Sequence, residues 1–305
     1  MTRPLRIGTR GSPLALVQAR MVRDRLAAAH PGRPAPEIVP MRTTGDAVQD
    51  RPLAEIGGKG LFTKEIEQAL LVDAIDLAVH SLKDMETYLP DGLVIDCVLE
   101  RADPRDALIG VAAIAALPAG ARFGTSSLRR AAQIRALRPD VAIAPLRGNV
   151  DTRLARVAEG AVAATLLAVA GLARLGRTDA IAAILEPAEM LPAAAQGAIA
   201  IERRAGDDRT AALLAPLNHA PTLACVTAER ALLAALDGSC RTPIGALATL
   251  DNRRMTLDAL VAAPDGAAVW RTRRDGPAAD AVAMGVDAGA ELRRRAGDAV
   301  FADAG

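Results

Sequence analysis

Short apolar stretches that end at glycine, serine or threonine recur along this chain, and a helical pattern follows each of them. The first stretch leads to Ser12 and Pro13, which suit the N-cap and the first position of a helix. Leu14, Val17 and Met21 then repeat at helical spacing and predict one apolar face. This repeated order of strand, turn and helix constrains the fold more than any other feature of the sequence.

The same order returns further along the chain. Residues 121–124 and 141–145 predict strands that are each followed by a helix, and residues 75–80 predict a strand that runs into Ser81. Alternating strands and helices are typical of α/β domains with largely parallel sheets. We therefore expect the α/β class for most of the chain.

The pattern changes after about residue 217. A helix is predicted over residues 222–236, followed by alternating segments at 246–250 and 255–262, and a last helix over residues 287–296. This order predicts a small α+β domain at the C-terminal end.

Composition excludes several classes of protein. The 37 basic and 36 acidic residues nearly cancel, so no overall field indicates binding to nucleic acid or a membrane, and five aromatic residues argue against base stacking. Residues 1–12 lack the apolar core of a signal peptide, so we expect a cytoplasmic protein. Cys97, Cys225 and Cys240 are odd in number and far apart, which favours neither disulfides nor a metal site.

Basic residues concentrate at junctions that follow a predicted strand or a glycine turn. In open α/β sheets such junctions lie at the carboxyl ends of the strands, where ligands bind, and several adjoin helix N-termini that attract anions. One such residue alone would more simply be a solvated side chain. Eight together indicate a ligand with several carboxylates, because guanidinium groups pair with carboxylates through two hydrogen bonds. The eight are Arg10, Lys59, Lys83, Arg129, Arg130, Arg147, Arg153 and Arg174.

Two further residues have open interpretations. Asp84 is either a helix N-cap or ion-pair partner, or a carboxylate that stabilises a cation or accepts a proton. Cys240 lies in a loop of small residues beside Arg241, where a lone thiol is more often incidental. His80 lacks the glycine-framed elbow of a Ser/His/Asp site, and no GxGxxG or Walker A sequence indicates a nucleotide.

The sequence resembles the porphobilinogen deaminase family, also called hydroxymethylbilane synthases, over nearly its whole length. The order and spacing of the shared segments carry this resemblance. The segments are IGTRGSPLAL (7–16), GGKGLFTKEIE (57–67), DLAVHSLKD (76–84), GTSSLRR (124–130), LRGNVDTRL (146–154), LAVAGLARLG (167–176), AAQGAIAIE (194–202), TAERALL (227–233) and GSCRTPIG (238–245).

The resemblance implies three domains. Two are periplasmic-binding-protein-like α/β lobes: residues 1–99 with 196–217, and residues 100–195. The third is the small α+β domain, residues 218–305, which carries Cys240.

The resemblance also implies an activity and a cofactor. Four porphobilinogen molecules are condensed, each with loss of ammonia, onto a dipyrromethane that is joined to Cys240 by a thioether. Hydrolysis then releases hydroxymethylbilane for tetrapyrrole biosynthesis. We expect a monomer that binds this polycarboxylate pyrrole and no nucleic acid, membrane or metal.

Residue roles follow from the same resemblance. Asp84 is expected to be catalytic and to contact the cofactor. The expected cofactor-binding residues are Cys240, Lys83, Thr125, Ser127, Arg129 and Arg130. The expected substrate-binding residues are Arg10, Ser12, Lys59, Arg147, Arg153 and Arg174.

The chain departs from the family pattern at three places. Glu55 stands where some relatives have lysine, Ala194 and Ala195 occupy a stretch often written with glycine, and residues 85–88 replace the usual valine-proline. Two other functions remain as alternatives: a non-catalytic anion-binding protein or sensor on the same fold, and another acyl or alkyl transferase with Cys240 as nucleophile.

Overall fold

A computed structural model describes residues 3–47, 63–237, 242–297 and 299–302 of the chain. The chain divides into two compact units. The first contains residues 1–102 and 198–223, and the second contains residues 103–197 and 224–305. The boundaries predicted for three domains stay a prediction.

The first unit is built on a five-stranded sheet in the order β2-β1-β3-β10-β4. β1 is parallel to β2 and β3, whereas β10 is antiparallel to β3 and β4. Apolar side chains cover both faces of the sheet, so its central strands are buried on both sides. The strands are β1 (Arg6–Arg10), β2 (Glu37–Met41), β3 (Leu77–Ser81), β4 (Leu93–Val98) and β10 (Ile199–Arg204).

Helix α1 (Pro13–Ala29) begins where the sequence predicted. Ser12 is its N-cap, and the Ser12 Oγ accepts a hydrogen bond from the backbone N–H of Ala15 at 3.4 Å. The residues that this helix buries are Gln18, Ala19, Val22 and Leu26, so its core face lies about one residue beyond the predicted stripe. The other helices of this unit are α2 (Thr44–Ala47), α3 (Lys64–Leu71), α7 (Asp208–Leu214) and the start of α8 (Ala220–Ala235).

The second unit contains another five-stranded sheet, in the order β7-β6-β8-β5-β9. β6 is parallel to β7 and β8, and β5 is antiparallel to β8 and β9. The elements around this sheet are β5 (Asp106–Ile109), β6 (Arg122–Gly124), β7 (Ala142–Ala144), β8 (Ala164–Ala168), β9 (Ala183–Leu185), α4 (Leu128–Leu137), α5 (Val150–Ala158) and α6 (Val169–Arg174).

The C-terminal part of the second unit is a three-stranded antiparallel sheet packed against α8 and α9. Gly285 and Gly289 on α9 lie against α8, where an added Cβ would come within 2.3 and 2.7 Å of atoms of that helix. The elements are β11 (Ile244–Asp251), β12 (Arg254–Ala262), β13 (Val269–Pro277), α9 (Ala281–Ala296) and α10 (Ala299–Ala302).

The predicted α/β class and the α+β C-terminal part are confirmed. The expectation of largely parallel sheets was wrong, because each five-stranded sheet contains two parallel and two antiparallel pairings. Strands such as β10 enter a sheet late in the chain from its opposite end, and this reversal leaves no local sequence signal. In the part of the chain that the structure describes, no helix is both long enough and apolar enough to span a membrane.

Candidate active site

A pocket in the first unit lies where β1 and β3 end and α1 begins. Its position agrees with the rule that ligands bind at the carboxyl ends of parallel strands. The pocket brings together three residues that the sequence predicted for the site: Arg10, Ser12 and Asp84. Its other polar lining residues are Gln18, Thr63, His80 and Ser81.

Asp84 ends a short 3-10 turn, Leu82–Asp84, that follows β3 directly. Leu82 is buried, and its backbone N–H donates to the Ala198 carbonyl at 3.1 Å, which fixes the start of the turn. The Asp84 side chain is exposed, and Lys83 beside it is partly buried. The alternative that Asp84 is a helix N-cap was wrong, because the described residues that follow it, 85–92, form bends and turns before β4.

The floor of this pocket is hydrogen-bonded in advance of any ligand. Gln18 Nε2 donates to Ser81 Oγ at 2.8 Å, which joins α1 to the end of β3. His80 Nε2 lies 3.0 Å from Glu202 Oε2, and both side chains are buried. Sequence reasoning did not identify Gln18, Ser81 or Glu202 as site residues, because their partners are far away along the chain.

In the second unit, Arg129 and Arg130 are buried around Asp106. Their Nη2 atoms lie 2.7 Å from the two different carboxylate oxygens of Asp106. Burial alone would raise the pKa of Asp106, but the charges and hydrogen bonds of the two guanidinium groups outweigh it and hold that pKa far below its usual range. The pair of arginines therefore shares one ionised carboxylate.

This contact explains why two cations occupy the first turn of α4. Ser127 caps the helix, its Oγ accepting from the Arg130 N–H at 3.4 Å. The Nη1 atoms of Arg129 and Arg130 donate to the carbonyls of Leu191 and Leu166 at 2.6 and 2.8 Å. The Nε atoms of both arginines are buried and have no hydrogen-bond partner among the described residues.

Gln196 completes the surroundings of Asp106. Its Nε2 donates to Asp106 Oδ1 at 2.9 Å and to the Pro104 carbonyl at 2.7 Å. The preceding residue, Ala195, has a φ of 60° and is buried, and its N–H donates to the carboxylate of Glu229. A left-handed conformation costs a non-glycine residue about 1–2 kcal/mol, so this segment is held by its hydrogen bonds.

The loops after β6 and β7 are joined by Ser126. Its Oγ donates to the Leu146 carbonyl at 3.1 Å and accepts from the Leu146 N–H at 3.2 Å. This bridge places Thr125, at the end of β6, on the same sheet edge as Arg147, which follows β7. Nη1 of Arg147 is buried without a partner among the described residues.

Two more predicted residues lie on the helices that follow these strands. Arg153 is on α5, and its Nε donates to the Gly148 carbonyl at 2.9 Å. Arg174 ends α6 after β8, and its Nη2 donates to the Gly197 carbonyl at 2.6 Å. Burial lowers the pKa of Arg174 to about 10, and its Nε finds no partner within the described residues.

Lys59, Cys240 and the departure at Glu55 lie outside the described residues. Across the ranges that the structure does describe, no cluster of three or more His, Cys, Asp and Glu side chains could hold a metal ion. The geometry is therefore that of a carboxylate-bearing pocket in one unit and an arginine-rich strand edge in the other. The first suits a cation and the second suits an anion with several acidic groups.

Comparison with known proteins covers almost the whole chain. The family model described as "Porphobilinogen deaminase, dipyromethane cofactor binding domain" matches residues 5–212, and that described as "Porphobilinogen deaminase, C-terminal domain" matches residues 223–294. The chain is 57% identical over 296 residues to a porphobilinogen deaminase of Paracoccus denitrificans, covering 96% of this chain and 95% of that protein. It is 53% identical over 300 residues to that of Nitrobacter winogradskyi, covering 97% and 94%.

Among solved structures, an extracytoplasmic solute receptor from Bordetella pertussis that binds pyroglutamic acid aligns with a TM-score of 0.39. It is 14% identical, and the alignment covers 71% of this chain and 77% of the receptor. Similarity at this level carries no functional argument.

Proposed function

The chain belongs to the porphobilinogen deaminase family, and from this premise we propose that it condenses four porphobilinogen molecules, with loss of ammonia, onto a dipyrromethane cofactor. The product is hydroxymethylbilane, which feeds tetrapyrrole biosynthesis. The reaction class is a deaminating transfer, and the substrate is a small pyrrole with two carboxylate arms.

One observation in the structure carries the proposal. Four arginines of the predicted cluster each present a buried guanidinium nitrogen that has no acceptor among the described residues. A buried donor without a partner costs about 1–3 kcal/mol, and more for a charged group, so these atoms suit an acceptor that arrives with a ligand. Pyrroles that each carry two carboxylates supply such acceptors. The atoms are Arg129 Nε, Arg130 Nε, Arg147 Nη1 and Arg174 Nε.

The same atoms fit the dipyrromethane cofactor. Thr125, Ser127, Arg129 and Arg130 lie at the end of β6 and the start of α4, and with Lys83 they are the residues that we propose hold its carboxylates. When bound, the dipyrromethane supplies the pyrrole α-carbon to which the first substrate is joined. Arg147, Arg153 and Arg174 are proposed to bind the arms of incoming substrate, together with Lys59, Arg10 and Ser12.

Asp84 is the proposed catalytic carboxylate. It is exposed in the first-unit pocket beside Arg10 and Ser12, so a substrate bound by those two side chains has its reacting carbon near an anion. Loss of ammonia from porphobilinogen leaves a cation on the pyrrole methylene. A carboxylate stabilises that cation and accepts the proton lost when the new bond is complete.

Cys240 is the proposed attachment point of the cofactor, through a thioether. Burial raises the pKa of the Cys97 thiol to about 12, so Cys97 does not form a thiolate at neutral pH. Cys225 is buried on α8. Cys240 follows the end of α8 by five residues and precedes β11 by four, next in sequence to the small residues Gly238 and Ser239.

We further propose that one chain is sufficient for activity and that no nucleic acid takes part. The nearly balanced charge and the five aromatic residues support the second point. Cytoplasmic location stays a prediction.

The test combines ammonia release with intact-mass measurement of the purified protein. We expect an adduct of two pyrrole units on the resting protein, a ladder of further equal mass steps on brief incubation with porphobilinogen, and one ammonia released per step. Cys240→Ser should abolish the adduct, whereas the matched Cys225→Ser should keep it. Binding of porphobilinogen without ammonia release would overturn the proposal in favour of a non-catalytic anion-binding protein.

A further inference from the structure

We propose that His80, held by Glu202, relays the proton that Asp84 takes up in each condensation, an inference that rests on the proposed function. His80 acts through Asp84 and is therefore a positioning and proton-relay residue. Family resemblance gave it no role, and the sequence offered no nucleophile for it to serve.

The register of the central strands brings His80 and Glu202 together. β10 is antiparallel to β3, with Ala200 opposite His80 and Glu202 opposite Ala78. Glu202 is thus two residues from the position opposite His80, so both side chains lie on the same face of the sheet. The contact of Nε2 with Oε2 at 3.0 Å joins two side chains that are 5% and 0% exposed.

Other acidic groups lie near this pair. Glu67 on α3 packs over the same face, and burial raises the pKa of its carboxyl, with the charge of Glu202 adding to this effect. Glu86, after the turn, adds further negative charge. The Glu202 Oε1 atom is buried and has no partner among the described residues. A buried carboxyl group without a partner is costly, so His80 Nε2 is the hydrogen-bond partner on which the buried Glu202 side chain depends.

His80 faces the pocket in which we propose the reaction takes place. His80 lines the same pocket as Asp84 and Arg10, while Glu202 lies behind it in the sheet. A carboxylate that accepts from Nε2–H fixes the ring tautomer and leaves Nδ1 as the proton acceptor. Among the three histidines of the chain, His30 and His219 instead contact the Leu213 carbonyl and the Thr222 hydroxyl.

Each condensation releases a proton, and His80 Nδ1 is the atom that we expect to accept it from Asp84. Each addition breaks the methylene C–N bond of protonated porphobilinogen, and the electron pair leaves with ammonia. The α-carbon of the growing chain then bonds to the methylene carbon and loses its hydrogen as a proton. Asp84 accepts that proton and passes it to His80, so that Asp84 is ionised again for the next substrate. The proton finally leaves with ammonia as ammonium, so atoms and charge balance.

The test uses His80→Gln in the holoenzyme, because a glutamine amide can still donate to Glu202 but cannot carry a proton onward. We expect the adduct mass and melting temperature of the wild type, with the steady-state rate of ammonia release reduced about 10²-fold and its acidic limb of pH dependence altered. His30→Gln, in which the amide can still donate to a carbonyl, is the matched control and should keep both rate and pH profile.

A second measurement needs no activity. Proton NMR of the ring Cε1–H signals, assigned with the three His→Gln variants, should show the His80 signal moving in Glu202→Gln, because that variant changes the partner of Nε2. A wild-type rate and pH profile in His80→Gln would overturn the relay, as would a His80 signal that does not move in Glu202→Gln. A wild-type protein that releases no ammonia would instead overturn the proposed function.

Discussion

Beneath its pocket the first unit buries two carboxylates, Glu67 and Glu202, with one histidine, whereas the second unit buries the guanidinium groups of Arg129 and Arg130 around one aspartate. Each region therefore contains more ionisable groups of one sign than of the other. The first is suited to a proton or a developing cation, and the second to the acidic arms of a ligand. This difference in charge indicates that the first unit carries out the chemistry and the second unit binds the acidic arms of the substrate.

The arginine region, which consists of Arg129, Arg130 and Asp106, should lose more stability on substitution than the pocket of the first unit. Asp106→Asn leaves two buried cations without their shared anion, and loss of one member of a buried ion pair costs about 3–5 kcal/mol. We expect a drop of that size in the free energy of unfolding measured with urea, together with loss of activity. Asp140→Asn removes the exposed partner of Arg138 and should change stability far less.

The contact of Asp106 with Arg129 and Arg130 makes the free energy of unfolding depend on pH with a known sign. Because the folded-state pKa of Asp106 is lowered, its stabilising contribution is present above the unfolded value of about 3.9 and is lost as the pH falls toward the folded value. The difference in unfolding free energy between wild type and Asp106→Asn should shrink across that acidic range. A constant difference would contradict the assignment of ionised Asp106 as the shared partner.

The pocket of the first unit, which Asp84 lines, should lose catalytic activity on substitution without losing stability. Asp84 is exposed at the end of its turn, so Asp84→Asn should fold, melt like the wild type and keep the cofactor adduct. Its rate of ammonia release should fall about 10² to 10⁴-fold, the usual contribution of a general acid or base. Wild-type turnover in this variant would remove the distinction between the two regions.

Arg174 tests whether the buried arginines of the second unit are arranged to bind a ligand at a cost in the free energy of unfolding. Burial lowers the pKa of this guanidinium to about 10, which means that the charged form is poorly solvated. Arg174→Met should therefore leave the free protein as stable as the wild type, or up to about 1 kcal/mol more stable, while raising the KM for porphobilinogen about tenfold. Thermal unfolding and initial rates measure the two effects. A less stable variant with an unchanged KM would assign Arg174 a purely structural role.

The smallest effect concerns Glu67. Because burial raises its pKa in the folded state, the protein loses stability as the pH rises from the unfolded value of about 4.3 through the folded one. Glu67→Gln should equal the wild type at the acidic end of this window and be the more stable protein above it. Glu65 on the same helix has a lowered pKa despite burial, because Thr44 donates to it, so Glu65→Gln should show the opposite sign.

Local features of the fold were predictable, and long-range ones were not. Ser12 was identifiable as an N-cap because a cap is a contact with residues two or three positions ahead. Glu202 and His80 are 122 residues apart, and Gln196 and Asp106 are 90 apart, so no sequence window contains either pair. Helix α9, which the sequence predicted from residue 287, begins at Ala281, six residues earlier, because Gly285 fits a close helix contact that only packing shows.

In the candidate site, too, local features were predictable from the sequence and long-range contacts were not. Arg129 and Arg130 were noticed because cations in the first turn of a helix oppose its dipole. Their partner was not found, since Asp106 begins β5, a strand that joins the sheet through antiparallel pairing. The sequence thus indicated which residues are charged and exceptional, and folding determined which of them neutralise one another.

Ala195 limits what substitution this enzyme tolerates. Its φ of 60° disfavours branched and bulky side chains, its 1% exposure leaves no room for a long one, and its N–H is needed by Glu229, which excludes proline. Glycine would remove the backbone strain at this φ, but it would give the unfolded chain more conformational entropy to lose on folding. In a library of all twenty residues at this position, selected for growth that depends on the enzyme, only alanine and glycine should survive.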